Sequence, residues 1–253
     1  NSEEIADIEV TIEKVIDGSP LIYGASCGNE VKTDMVAAGK ERADIYLAIY
    51  TDAASAVAAT DPLQVMMASG MYVSSVSYTY PSDGNATESC SFVGNDKFWS
   101  GNTVAGNPAT NWGSTTNTGL SGTDVPVSGL VRRTDVLIEQ CQLPDAVKFQ
   151  SAGPTIGGVG SQGHHIVSMS ASTDFGRESI MELGRFGPYH RYAGFPVEVT
   201  SEFEVTAASG DLVNVSGSDP NLHATGEQIT LKDSAGTVVD LGNKNKLSSV
   251  SYS

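Results

Sequence analysis

The sequence predicts a mainly β protein, an antiparallel sandwich or barrel with two or three short helices and long loops. Three observations carry that expectation. Residues 195–207, FPVEVTSEFEVTA, set Val197, Val199, Phe203 and Val205 against Glu198, Thr200, Glu202 and Glu204. That is the period-two alternation of a strand with one apolar and one acidic face. The turn PSDGN, centred on Asp83-Gly84, separates two β-rich runs and is a strong hairpin signal. Finally, the chain lacks the regular strand–helix alternation that a parallel sheet requires.

Taken in order, residues 8–16 (IEVTIEKVI) alternate as a strand with Glu9, Thr11 and Glu13 on one face. Residues 29–43 fit a helix whose apolar side is Val31, Met35 and Val36, and residues 44–50 (DIYLAIY) fit a strand. Residues 53–59 are Ala-rich and fit either a loop or a short helix. Asp61-Pro62 before LQVMMASG has the form of a helix start with Pro at its first position. Residues 71–80 (MYVSSVSYTY) read as a strand stopped by Pro81, and ATESCSFVG returns as its hairpin partner.

Residues 100–129 are rich in Gly, Asn, Thr and Ser, with Trp112 and Leu120 as isolated apolar points. So long a segment without structural signals reads as an insertion in one domain spanning 1–253. Strand-like runs follow at 130–143 and 164–173, with a Gly-rich connection at 153–163. A short helix is expected over 178–183, closed by Gly184. After the 195–207 strand, residues 227–242 read as a hairpin around 233–236, and KLSSVSYS as a last strand. SSVSY occurs at 74–78 and again at 248–252. The echo leaves internal duplication as an alternative to a single domain with an insertion.

At 253 residues the chain can bury a sizeable core. Lys plus Arg total 14 against 30 Asp plus Glu, a net charge of -16. That excludes a protein gripping nucleic acid through a cationic footprint, but not one past which nucleic acid slides. Cys27, Cys90 and Cys141 are odd in number, widely spaced and without CxxC. This pattern argues against a disulfide framework or zinc site and for small buried residues or free thiols. No stretch approaches the roughly 18 apolar residues of a membrane span, and the N-terminus shows no signal-peptide pattern.

Motifs that would carry chemistry are sparse. GASCG, residues 24–28, matches the G-x-S-x-G nucleophile elbow, making Ser26 the candidate nucleophile of a serine hydrolase. His164, His165, His190 and His223 follow in usable chain order, but no HGGG-type oxyanion motif is present. His164 and His165 are adjacent, so on a strand they face opposite sides and cannot share a metal. GGVGSQG lacks the Lys and Ser/Thr of a phosphate loop. No cofactor or metal set emerges, and a non-enzymatic role is expected. Arg132, Arg133, Arg177, Arg185 and Arg191 are the main cationic points. They read either as solvated surface or as a patch meeting the acidic face of a neighbouring copy.

Two runs resemble the tail tube (major tail) proteins of tailed bacteriophages. One is residues 74–99, SSVSYTYPSDGNATESCSFVGNDKFW; the other is residues 184–211, GRFGPYHRYAGFPVEVTSEFEVTAASGD. The resemblance implies a tail-tube-type β-sandwich or barrel whose inner sheet joins those of its neighbours in a six-fold or pseudo-six-fold ring. Such rings stack into a tube through which DNA leaves the capsid without specific binding. It further implies a self-assembling, structural virion protein, made in the host cytoplasm. Its partners would be copies of itself and other tail proteins such as tape measure, terminator and baseplate. On this reading Glu198, Glu202 and Glu204 face the lumen, and Arg132, Arg133 and Arg185 contact a neighbouring subunit. A tail terminator, a baseplate ring protein and a capsid decoration protein are the related alternatives, and a hydrolase using Ser26 is the unrelated one.

Overall fold

The computed structural model describes residues 5–17, 21–26, 41–53, 62–101, 130, 136–139, 166–205, 230–233, 238–242, 245, 248–249 and 251. These residues are mainly β, with antiparallel sheets. The elements are β1 (Ile8–Val15), α1 (Ile22–Ser26), β2 (Ala43–Ile49), β3 (Gln64–Tyr80), β4 (Thr87–Gly94), β5 (Asp96–Gly101), β6 (Val136–Glu139), β7 (Ile166–Asp174), β8 (Glu178–Ile180), β9 (His190–Tyr192), β10 (Val199–Val205), β11 (Thr230–Asp233) and β12 (Val238–Asp240).

The principal sheet runs β1-β4-β3-β7-β10, every neighbouring pair antiparallel. Its axis is β3, 17 residues long, or about 55 Å at strand rise. The second half of β3 pairs with β4 and β7, while the first half pairs with β2 and β5. One continuous strand therefore belongs both to the main sheet and to a three-stranded extension. Two irregularities mark the changeover. Asp44 Oδ1 accepts hydrogen bonds from Ser69 Oγ and Gly70 N, both at 2.8 Å, at a glycine whose φ of +63° other residues rarely adopt. A register shift follows between Val73 and Ser75.

The two faces of the main sheet differ in kind. Register places Ile8, Val10 and Ile12 of β1 beside Gly94, Phe92 and Cys90 of β4. Val73 and Val76 of β3 then flank Phe92 and Cys90, and Tyr78 and Tyr80 flank Ala171 and Met169 of β7. The buried side chains of β3, β4 and β7 form the core with Ile16, Met71, Ala86 and Phe175, and Ile8, Val10 and Ile12 of β1 pack half-buried against it. The face is covered by Leu21, Ile22 and Tyr23 at α1, with Val136, Val197 and Leu241 packed against the same cluster. Tyr23 stacks on Phe175 with ring centroids 6.1 Å apart. Smaller sheets, β12-β11-β6 and β8-β9, complete the described structure.

Several sequence expectations need correction. Residues 64–70 form the first half of β3, not a helix. Strands on both sides satisfy the backbone there, which overrides the helix-start signal at Asp61-Pro62. Residues 178–180 are β8, paired antiparallel with β9, not a helix; Gly184, at φ +85°, lies in the turn beyond. Strand β5 carries no strand signal of its own in the sequence, because it abuts the Gly-rich tract. Ser248, Ser249 and Ser251 lie outside any strand. The helix expected over 29–43 lies outside the described residues up to 40, and Ala43 opens β2. The alternatives for 53–59, beyond Ala53, and the insertion beyond Gly101 also lie outside them.

The apolar row of β10 is less buried than its alternation implies. Phe203 is half-buried and Val199 is 42% exposed, while the Val205 side chain lies outside the described set. The physical reason is position: among the described residues β10 pairs with β7 alone, at the end of the strand order. Phe203→Ala is therefore expected to cost about 1–2 kcal/mol, short of a fully buried phenylalanine, in a denaturant melt.

Candidate functional site

The residues alternating with the core make up the opposite face of the main sheet. β1 contributes Glu9, Thr11, Glu13 and Val15, and β4 contributes Thr87, Ser89, Ser91 and Val93. β3 contributes Ser75, Ser77 and Thr79, β7 contributes Ser168, Ser170, Ser172 and Asp174, and β10 contributes Thr200, Glu202 and Glu204. The centre is a carpet of small hydroxyls and the two edges are rows of carboxylates. None of these strand positions is a lysine or arginine. The single β1 lysine with a partner, Lys14, falls in the core-side row and pairs with Asp17 at 3.3 Å.

Side-chain hydrogen bonds tie neighbouring strands together across this face. Thr11 and Ser91 share a hydroxyl–hydroxyl bond of 2.9 Å between β1 and β4. Ser168 Oγ donates to Glu204 Oε2 at 3.0 Å, tying β7 to the β10 edge. Glu198 is exposed just ahead of β10, and its carbonyl accepts from Thr173 Oγ1 at 2.9 Å. A shallow trough of about 430 Å³ runs here, lined by Ser75, Ser77, Ser172, Asp174, Glu198 and Thr200. Short hydroxyls and exposed carboxylates give this face little apolar grip and a negative charge that repels anions.

Glu198, Glu202 and Glu204 thus lie together along one exposed edge of the open face. Glu9 and Glu13 supply a matching row on the other edge. Arg185 is half-exposed, 3.7 Å from Glu182 and with its guanidinium 5.6 Å from the Tyr189 ring centroid. Arg132 and Arg133 lie outside the described residues. Arg177 and Arg191 are internal clamps rather than solvated charges. Arg177 Nε donates to Val73 O at 2.7 Å, and its guanidinium lies 5.4 Å from the centroids of both Tyr72 and Phe175. Arg191, 8% exposed, donates to Asp7 at 2.8 Å and to Asn95. They hold the β8–β9 hairpin over Tyr72, whose hydroxyl bonds His190 Nδ1 at 2.8 Å. Covered from that side as well, Met71, Tyr72 and Val73 are buried in succession.

Ser26 ends the five-residue α1, and its hydroxyl donates to Tyr23 O at 2.9 Å. A nucleophile elbow instead needs its serine on a strand-to-helix turn with Oγ presented outward. The start of α1 is held by Glu88, a fully buried carboxylate that the sequence analysis does not single out. Glu88 Oε2 accepts from Ile22 N at 2.6 Å, and Oε1 accepts from Tyr23 N and Tyr78 Oη, each at 3.1 Å. Burial, and next the Glu88 charge, push the Tyr78 hydroxyl well above its ordinary pKa, so it stays a donor. This buried group is fully engaged in structure, with no open approach for a substrate.

Among the described residues, no three or more His, Cys, Asp or Glu side chains are grouped to hold a metal ion. Among the same residues, no helix is long and apolar enough to cross a membrane. Large apolar side chains are nevertheless exposed, most of them in two groups. Leu47, Ile49, Leu63, Phe98 and Trp99 lie on the extension, and Ile180, Met181, Leu183, Phe186 and Phe195 lie along the segment around the β8–β9 hairpin. Compared with models of known protein families the chain matches none, and comparison with curated proteins returns no significant match.

Proposed function

We propose that this chain is a structural virion protein, a subunit of the tail tube of a tailed bacteriophage. Copies join into rings, the rings stack, and DNA leaves through the channel. The observation that carries the reading is the open face of the main sheet, with hydroxyls at its centre, carboxylates at both edges and no cation among its strand residues. A channel wall for DNA needs that composition, because a cationic wall would bind the polyanion and an apolar one would not wet.

The topology supports the assembly. β1 and β10 each have one described strand neighbour, so each leaves an edge on which a second copy can pair. An odd number of antiparallel strands, five across this path, makes the two edges run in the same direction. The β10 edge of one copy can then meet the β1 edge of the next head to tail by a rotation, which closes a ring. In this reading the main sheet and the β6-β11-β12 sheet form a tail-tube-type sandwich. The exposed apolar groups on the extension and the β8–β9 segment are covered in the assembly by other copies or by other tail proteins.

Electron microscopy of the concentrated protein tests the proposal directly. Rings or tubes with the open face inward are expected, and a strict monomer with no ordered assembly counts against it. In phage carrying the triple substitution Glu198→Lys, Glu202→Lys and Glu204→Lys, tubes should still form while DNA release slows or stops. Unchanged infectivity in that triple variant would remove the three glutamates from the channel wall.

A further inference from the structure

We infer that the joint between neighbouring copies is gated by ionic strength, because it brings two rows of like charge together. The inference rests on the ring reading above and concerns its regulation. The β1 edge carries Glu9 and Glu13 on the open face, and the β10 edge carries Glu202 and Glu204, with Glu198 just ahead of them. Joining the edges with both open faces on one side sets these rows one strand spacing apart, about 4.8 Å.

The registers that overlap the two strands most fully all meet the conflict; only sliding β10 along until Thr200 faces Glu13 escapes it, at the cost of about half of the paired length. Aligning Thr200 with Glu9 sets Glu204 beside Glu13. Aligning Glu202 with Glu9 opposes that pair directly. Aligning Glu198 with Glu9 opposes them and also sets Glu202 beside Glu13. A slip by one residue would turn the apolar row of one strand to the open side. Like charges directly opposite on neighbouring strands are destabilising.

Nothing described nearby offsets them. The residues next to the rows on β4 and β7 are Thr, Ser and Val, apart from Asp174, itself an acid. Lys14 points to the other face and is engaged by Asp17. Arg191, near the start of β1, is committed to Asp7 and Asn95. The backbone ladder and apolar contact must therefore act against repulsion that only solvent ions can relieve. These carboxylates are exposed, so salt reaches them. The gate keeps dilute subunits apart after synthesis and lets them join where counterions or a preformed ring favour it.

The test is sedimentation and electron microscopy of the full chain across sodium chloride from about 20 mM to about 300 mM, which shortens the Debye length from about 20 Å to about 6 Å. The concentration giving half-assembly should fall at least about tenfold over that range. Salt also strengthens apolar contacts, so the variant E9Q/E13Q/E202Q/E204Q is the control. It should assemble in low salt at about the concentration the unaltered chain needs in high salt. Assembly of the unaltered chain that ignores or weakens with salt overturns the gate and leaves the ring reading standing. So does a variant that keeps the full salt response. No assembly by either protein at any salt overturns both.

Discussion

Glu88→Ala is expected to lower stability by about 3–5 kcal/mol, the largest single effect among the polar residues described. The carboxylate is fully buried and takes hydrogen bonds from two backbone amides and one tyrosine. Alanine strands the buried Tyr78 Oη and takes the acceptor from the part-buried Ile22 N and Tyr23 N, and a buried unsatisfied donor costs about 1–3 kcal/mol. The damage also has a local signature. Glu88 fastens the first turn of α1, so hydrogen exchange at the Ile22 and Tyr23 amides should speed up more than at core strand amides. Glu88→Gln keeps one acceptor but turns an amide donor toward other donors, and should lose about 1–3 kcal/mol. In a double-mutant cycle, Glu88→Ala and Tyr78→Phe should fall well short of additivity, because the second change removes one stranded donor. Additive losses would mean that the two side chains do not communicate.

Phe92→Ala should cost about 3–5 kcal/mol in the same denaturant melt. Phe92 is 1% exposed at the middle of β4, flanked across the sheet by Val10 and Val73. Truncation opens a cavity in a row hydrogen-bonded on both sides, where the backbone cannot collapse to fill it. Phe98, one strand later, is 43% exposed on the extension, and Phe98→Ala should change stability of the isolated chain far less. Comparable losses at the two positions would mean that the division between core and exposed apolar surface is wrong.

What could be read from the sequence follows from which strands have one wet face. β1, β4, β7 and the hairpin β11–β12 alternate cleanly or carry turn chemistry between them, and their residues declared themselves. The first half of β3, QVMMASG, does not alternate. Val65 and Ala68 are buried while Met66 and Met67 are each half-buried, so pattern alone could not separate strand from helix. β8 failed for a related reason: three residues are too few to show a period, and ESIMELG has good helix formers.

The candidate face was legible at its edges and not at its centre. Glu202 and Glu204 stood out by alternation with apolar residues. The hydroxyl carpet is spread over three strands as single serines and threonines, and only the register between strands collects them into one surface. Glu88 could have been noticed as an ionisable residue in phase with Cys90 and Phe92. Its partners at Ile22 and Tyr23 lie 66 and 65 residues away in sequence, a distance no local pattern spans.

The single strand β3 also has a mechanical meaning. Its first half is gripped by β2 and β5 and its second by β4 and β7, with no break in the covalent chain between them. A load on the extension cannot be relieved by one sheet sliding over another, because both are cut from the same beam. Torque applied at Leu47 or Trp99 reaches the face of hydroxyls as a tilt of the main sheet, with the Asp44–Gly70 contact and the register shift between Val73 and Ser75 as the described places along the way where the beam can flex.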